Sequence, residues 1–296
     1  MRAPDGTFTT FDAPDAGTGL IQGTNLFSIN PAGTIAGYTV DASNVTHGFL
    51  RARHGTMTTY DVPRAGTDFF QGTFDLNVNP AGVIAGYYVD ESNAHHGFLR
   101  ARDGTITTFD APDAGTGSGQ GTTTASVDGI NPAGAIAGYT LDASNVNHGF
   151  LRAPDGTFTT FDVPGAAGTV AAGINPAGAI AGSYVDASNV LHGYVRAPGG
   201  AITTFDAPGA GTGLFQGTSP LSINAPGAIV GDTLDASNVY HGFLRARDGT
   251  ITTFDAPGAS TGSFEGTIPF SNNPVGMITG YYTDSSGVFH GFLRIP

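Results

Sequence analysis

Short apolar and β-branched stretches alternate along the whole chain with clusters of Gly, Pro, Asn, Asp and Ser. The second copy of the pattern shows the elements best. Gly72-Thr73-Phe74-Asp75-Leu76-Asn77-Val78 reads as a strand. Asn79-Pro80-Ala81-Gly82 follows as a turn, in which Pro pre-sets φ and Gly supplies a positive φ. Residues 83–89 form a second strand and Asp90-Glu91-Ser92-Asn93 a second turn. Residues 96–101 form a third strand, and Asp103-Gly104 signals a two-residue hairpin. Residues 105–110 form a fourth strand. Val, Ile, Thr, Phe and Tyr dominate these segments and no helical period is present. A two-residue loop would place Phe98 opposite Phe109. It would likewise pair Phe49 with Tyr60, Phe150 with Phe161, Tyr194 with Phe205 and Phe243 with Phe254, and would join the chain ends through Phe11 and Phe292.

The pattern recurs six times. Its His-Gly pairs begin at His47, His96, His148, His192, His241 and His290, a period near 50 residues. Such a period marks one supersecondary unit stacked on its copies. The chain opens on the second half of a unit, Thr7-Phe8-Thr9-Thr10-Phe11-Asp12, and closes on the first half, His290-Gly291-Phe292-Leu293-Arg294. Complementary ends point to a ring rather than to an open stack, which needs polar caps. The expected fold is therefore all-β: a single-domain, six-bladed β-propeller with four antiparallel strands per blade. Its blades would span 13–61, 62–110, 111–162, 163–206, 207–255, and 256–296 together with 1–12. One N-terminal strand would close three C-terminal ones.

Composition narrows the partners. The 46 glycines and 18 prolines suit many short strands, and the net charge of −13 disfavours nucleic acid and anionic membranes. All eleven basic residues are Arg. No apolar run is long enough to span a bilayer, and no signal peptide is visible. The absence of Cys removes thiolate chemistry and cysteine zinc sites. Without Trp the best stacking platform for sugars and cations is missing.

The unit His-Gly-Phe-Leu-Arg, then Gly-Thr-Ile-Thr-Thr-Phe-Asp-Ala-Pro-Gly-Ala, then Ile-Asn-Pro-Ala-Gly-Ala-Ile-Ala-Gly-Tyr resembles the bacterial extracellular "HAF" repeats over essentially the whole chain. Gly replaces the family's Ala in all six copies. The resemblance implies a propeller-like fold and an extracellular or periplasmic setting. It implies no catalytic activity.

Two sets of residues recur with chemistry to offer. His47, His96, His148, His192, His241 and His290 fall near Asp61, Asp110, Asp162, Asp206, Asp255 and Asp12. A structural hydrogen bond tying a turn to a strand accounts for them, since third-strand residues lie too far from the axis to converge on one ion. The polar turns carry Asp41, Asn44, Asp90, Asn93, Asp142, Asn145, Asp186, Asn189, Asp235, Asn238 and Asp284. Their oxygens could serve calcium, but such residues also bond nearby backbone, and the calcium-loop pattern is missing. They are the candidate ligand-binding residues, and no cofactor is expected beyond weak calcium binding. The repeated Arg51, Arg100, Arg152, Arg196, Arg245 and Arg294 are read as ion pairing or stacking between blades, with Arg100 opposite Thr107. Tyr38, Tyr87, Tyr139 and Tyr281 are read as packing between blades.

Nucleophile-elbow, zincin and phosphate-loop motifs are absent. Six near-copies offer six equivalent environments, whereas catalysis needs distinct roles in one place. Symmetry breaks at His54, His95, Asp232 and the connections near Ser118 and Phe215. The expected function is a non-catalytic, monomeric repeat scaffold that binds an unknown ligand or protein, secreted or surface-exposed. Binding is expected on the face of the polar turns and of the connections, whose lengths vary. The alternatives are a multivalent glycan-binding propeller and a propeller enzyme of lyase or lactonase type with its site at the channel mouth.

Overall fold

The computed structural model describes residues 6–296 and is built from strands and turns, without helix. Unit 1 comprises β1 (Gly23–Ile29), β2 (Ile35–Val40), β3 (Thr46–Arg51) and β4 (Met57–Tyr60). Unit 2 comprises β5 (Gly72–Val78), β6 (Ile84–Val89), β7 (His95–Arg100) and β8 (Ile106–Phe109). Unit 3 follows with β9 (Gly121–Thr124), β10 (Ile136–Leu141), β11 (Asn147–Arg152) and β12 (Phe158–Phe161). Unit 4 has β13 (Gly168–Ile174), β14 (Ile180–Val185), β15 (Leu191–Arg196) and β16 (Ile202–Phe205). Unit 5 has β17 (Gly217–Ile223), β18 (Ile229–Leu234), β19 (Tyr240–Arg245) and β20 (Ile251–Phe254). Unit 6 has three strands, β21 (Thr267–Asn272), β22 (Ile278–Thr283) and β23 (Phe289–Arg294).

Within each unit the strands pair antiparallel in chain order. Neighbouring units face one another across apolar layers. Ala36, Val62, Val78, Ile84, Tyr88 and Phe98 form one such layer between units 1 and 2. Phe49, Phe98, Phe150, Tyr194 and Phe243 are fully buried. The first strands of five units bulge near their middle, as between Asp75 and Asn77. The extra residue (Phe27, Leu76, Ala172 or Leu221) turns toward a cavity of about 370 Å³ that units 1 to 5 share.

The hairpin register differs from the expected one. Ala101 N donates to Thr105 O and Gly104 N to Ala101 O, so the tip is a three-residue loop, Arg102-Asp103-Gly104, with Gly104 at φ +94°. Phe98 therefore lies opposite Thr108, and Phe109 opposite Gly97. The same shift pairs Phe49 with Thr59, Phe150 with Thr160, Tyr194 with Thr204 and Phe243 with Thr253. The aromatic residues of the third and fourth strands thus point to opposite faces of their sheet. In units 2 to 5 the fourth-strand ring covers the third-strand glycine: a Cβ on Gly149 would stand 2.7 Å from the Phe161 ring. Each such ring also meets the next unit, as in the edge contacts Phe161–Tyr194, Phe205–Phe243 and Phe254–Phe292.

Arg100 lies opposite Ile106, not Thr107. Its guanidinium stacks 4.6 Å above Tyr60 of the preceding unit, and Arg152, Arg196, Arg245 and Arg294 stack likewise on Phe109, Phe161, Phe205 and Phe254. Such contacts stabilise by about 0.5–2 kcal/mol, more when desolvated.

Among the described residues the sheets do not close into a ring. Among the described residues β23 pairs only with β22, and Phe292 forms no ring contact with Phe11. Phe11 instead lies 4.7 Å beneath Arg51, the place Tyr60 takes beneath Arg100. Ala13 N donates to Thr24 Oγ1 as Val62 N does to Thr73 Oγ1. The N-terminal segment is therefore docked on unit 1 as each connection docks on the unit that follows it. On the opposite side of the seam, Gly291 has only a backbone oxygen nearby where the other units place a ring or a carboxylate.

Candidate functional site

Each His stands at the end of the third strand where that strand meets the polar turn and the fourth strand. The register sets His96 beside Asp110, and Nδ1 lies 2.9 Å from Asp110 Oδ1. Its Nε2 lies 3.4 Å from Oδ2 of Asp90 in the turn. The imidazole therefore bridges two carboxylates. His47 does the same with Asp61 and Asp41, and His148 with Asp162 and Asp142. His192 bridges Asp206 and Asp186, and His241 bridges Asp255 and Asp235. His290 reaches Asp284 through Nε2 at 2.9 Å, but Asp12, docked on unit 1, is not brought to it. Tyr88, Tyr184 and Tyr282 stack on His96, His192 and His290 at 4.9–5.0 Å.

The turn carboxylates are also engaged with backbone. Asp41 Oδ1 accepts from Ser43 N and Val45 N, and Asp90, Asp142, Asp186, Asp235 and Asp284 repeat that pair of bonds. Asn44, Asn93, Asn145, Asn189 and Asn238 adopt positive φ, which Asn tolerates. Four of them accept from a glutamine of the connection: Gln22 to Asn44, Gln71 to Asn93, Gln120 to Asn145 and Gln216 to Asn238. The connection of unit 4 is too short to carry that Gln, so Asn189 lacks this bond.

The pKa directions follow these contacts. Hydrogen bonds that His47 donates to Asp61 and His96 to Asp110 raise the imidazoles above their ordinary value against the effect of burial. For His148 burial is the larger opposing effect, and Asp162 and Asp142 still carry the net shift upward. Asp142 is held below the ordinary carboxylate value, first by the Val146 N–H. Among the described residues no group of three His, Asp or Glu side chains is arranged to hold a metal ion. Open clefts of about 400 and 450 Å³ border the His47 and His148 clusters, with Asp15 and Asp113 on their rims.

The symmetry-breaking positions lie in separate places. His54 is exposed at a hairpin tip. His95 stacks on Tyr87, and burial lowers its pKa. Asp232 is nearly buried, and burial pushes its pKa up to about 7. Ser118 and Phe215 sit exposed in the connections. Tyr38, Tyr87 and Tyr139 line the shared cavity, and Tyr38 and Tyr87 stack on Phe27 and Phe74. Tyr281 packs on Phe270 and Phe289.

Three features lie outside the expectations drawn from the sequence. Tyr60 Oη donates to Asp75 Oδ2 across units 1 and 2 at 2.6 Å. After the short β9 the chain crosses to unit 5, where Ser222 Oγ donates to Asp128 Oδ2 at 2.7 Å. Asp128 borders a second cavity, of about 590 Å³, with Asn77 and Phe270. Among these, only the Tyr60–Asp75 pair had a readable trace, two departures from the repeat in neighbouring copies.

No family model matches the chain, and no curated protein is similar to it in sequence. Solved structures are similar in fold. Virginiamycin B lyase from Staphylococcus aureus is 15% identical, with a TM-score of 0.56 over 92% of this chain and 86% of the other. AofleA from Arthrobotrys oligospora is 14% identical, with a TM-score of 0.53 over 93% and 84%. The BP39L lectin from Burkholderia pseudomallei is 10% identical, with a TM-score of 0.52 over 92% and 81%. The chain shares the repeated all-β sheet architecture of these β-propellers.

Proposed function

We propose that this chain is a non-catalytic repeat scaffold that binds a ligand or a partner protein on the face of its polar turns. One observation carries the reading: in five units both nitrogens of the repeated imidazole face carboxylates. A general base needs a nitrogen free to reach substrate, and here the most chemically able side chain is spent on joining a turn to a strand. The repeat is of the HAF type, and the setting is extracellular or periplasmic. The working form is a monomeric six-bladed ring in which the N-terminal segment completes unit 6. The docking of Phe11 and Ala13 on unit 1 and the open outer edge of β23 support that closure.

The lectin neighbours make glycans the second class of ligand to test, and the lyase neighbour keeps an enzyme as the competing reading. Calorimetric titration with calcium, then with a glycan panel, followed by mass analysis of each mixture, tests the proposal. Saturable heat with ligand mass unchanged is expected. A product mass would overturn it.

A further inference from the structure

We infer that the connections of units 1, 2, 5 and 6 present apolar fingers that capture a cationic amphipathic segment of a partner protein. This rests on the scaffold reading and names the partner class.

Each of these connections ends in a tight loop before the first strand of its unit. The loop is Gly19-Leu20-Ile21-Gln22 in unit 1, Asp68-Phe69-Phe70-Gln71 in unit 2, Gly213-Leu214-Phe215-Gln216 in unit 5 and Gly262-Ser263-Phe264-Glu265 in unit 6. Its third residue is left-handed: φ is 64° at Ile21, 58° at Phe70, 58° at Phe215 and 60° at Phe264. Unit 3 makes the same loop with Gly117-Ser118-Gly119-Gln120, and Gly119 has φ 77°. Glycine is thus the residue the backbone accepts without cost, and a bulky or β-branched side chain in that region is strained.

Burial does not compensate for the strain. Ile21, Phe70, Phe215 and Phe264 are 42–64% exposed, and their neighbours Leu20, Phe69 and Leu214 are 62–91% exposed. Three of the loops are nevertheless tied to the preceding unit. Phe70 N donates to Asn44 O of the preceding unit, and Phe215 N and Phe264 N donate to Asn189 O and Asn238 O. Strain kept at exposed apolar side chains is a mark of function, and so is an exposed apolar patch rimmed by polar groups.

Charge selects the occupant. The same face carries the exposed Asp15, Asp61, Asp68, Glu91 and Asp110, and among the described residues Arg64 is its one arginine. An anionic lipid surface is repelled by that field, whereas a segment that interleaves basic and apolar side chains satisfies both the fingers and the carboxylates. Units 3 and 4 lack fingers.

The probe is an amphipathic Lys/Leu peptide, titrated by fluorescence anisotropy, beside an analogue with Gln for Lys. The variant carries the unit 3 dipeptide in the other loops: Leu20→Ser, Ile21→Gly, Phe69→Ser, Phe70→Gly, Leu214→Ser, Phe215→Gly and Phe264→Gly. We expect its melting temperature to be unchanged or raised and its affinity for the peptide to fall at least tenfold. The parent should bind the Gln analogue at least tenfold more weakly than the Lys peptide. Equal affinity of parent and variant would overturn the inference, as would a lowered melting temperature, which would make the fingers structural. Binding to phosphatidylcholine vesicles in place of the peptide would overturn it too, as would self-association lost in the variant. If the peptide fails to bind while calcium or a glycan saturates, this inference falls and the scaffold reading stands. A product mass in those titrations fells the scaffold reading instead.

Discussion

Replacing Tyr60 by Phe isolates one hydrogen bond between units. Every other unit boundary has Phe at this position, so the ring shape is tolerated. The hydroxyl donates at 2.6 Å to Asp75, which is completely buried and whose Oδ1 has no partner. Losing the hydroxyl leaves the whole carboxyl unsatisfied, at about 1–3 kcal/mol. We take about 2 kcal/mol, a fall in Tm of roughly 4 °C for a domain of this size. Replacing Asp75 by Leu in the same chain, as unit 1 has Leu26 at this position, should restore stability to near the parent, because both polar partners are then gone. The sign with pH is fixed by Asp75. Burial raises its pKa well above 3.8, against smaller downward effects of Tyr60 and Arg100. Its contribution is fully present below that value and is lost as pH rises through the folded one. The parent should therefore lose more stability than the Asp75→Leu chain as pH rises from 4 to 8. Denaturant melts of the four chains at both ends of this range are the assay. A Tyr60→Phe chain as stable as the parent at both pH values would refute the reasoning, as would a double variant no better than the single.

Two further outcomes are expected. His148→Ala should destabilise by about 1 kcal/mol, since its partners are partly exposed and screened. Because the folded pKa of His148 is raised above 6.5, the loss should be largest near pH 5.5 and shrink as pH rises through the folded pKa. A variant that melts like the parent at pH 5.5 would count against it. For ring closure, the repeat register puts Thr9 opposite Leu293. As the chain has no Cys, Thr9→Cys with Leu293→Cys should oxidise to an intramolecular disulfide, and recovery of free thiols or of dimers alone would argue against closure.

The repeat period, the four strands per unit and the turns between them were legible because β-branched stretches and Gly/Pro clusters alternate so regularly. The hairpin register was not. Asp-Gly suits both a two-residue loop and a three-residue loop with Gly left-handed, and one residue moves every aromatic to the other face. The neighbourhood of His96 and Asp110 survived that slip, since it shifts them by one step. The second carboxylate on each imidazole was hidden because Asp90 reaches His96 by folding back over its own turn. The apolar fingers were hidden because exposure and positive φ leave no periodic trace.

The claim that the repeated imidazoles are spent on structure is tested most directly by a long-range ¹H–¹⁵N spectrum of the histidine rings across a pH titration. His47, His96 and His148 are expected to keep both ring nitrogens protonated to higher pH than a free imidazole. A ring among those three that releases its proton below the ordinary histidine value, leaving a bare nitrogen, would contradict the account.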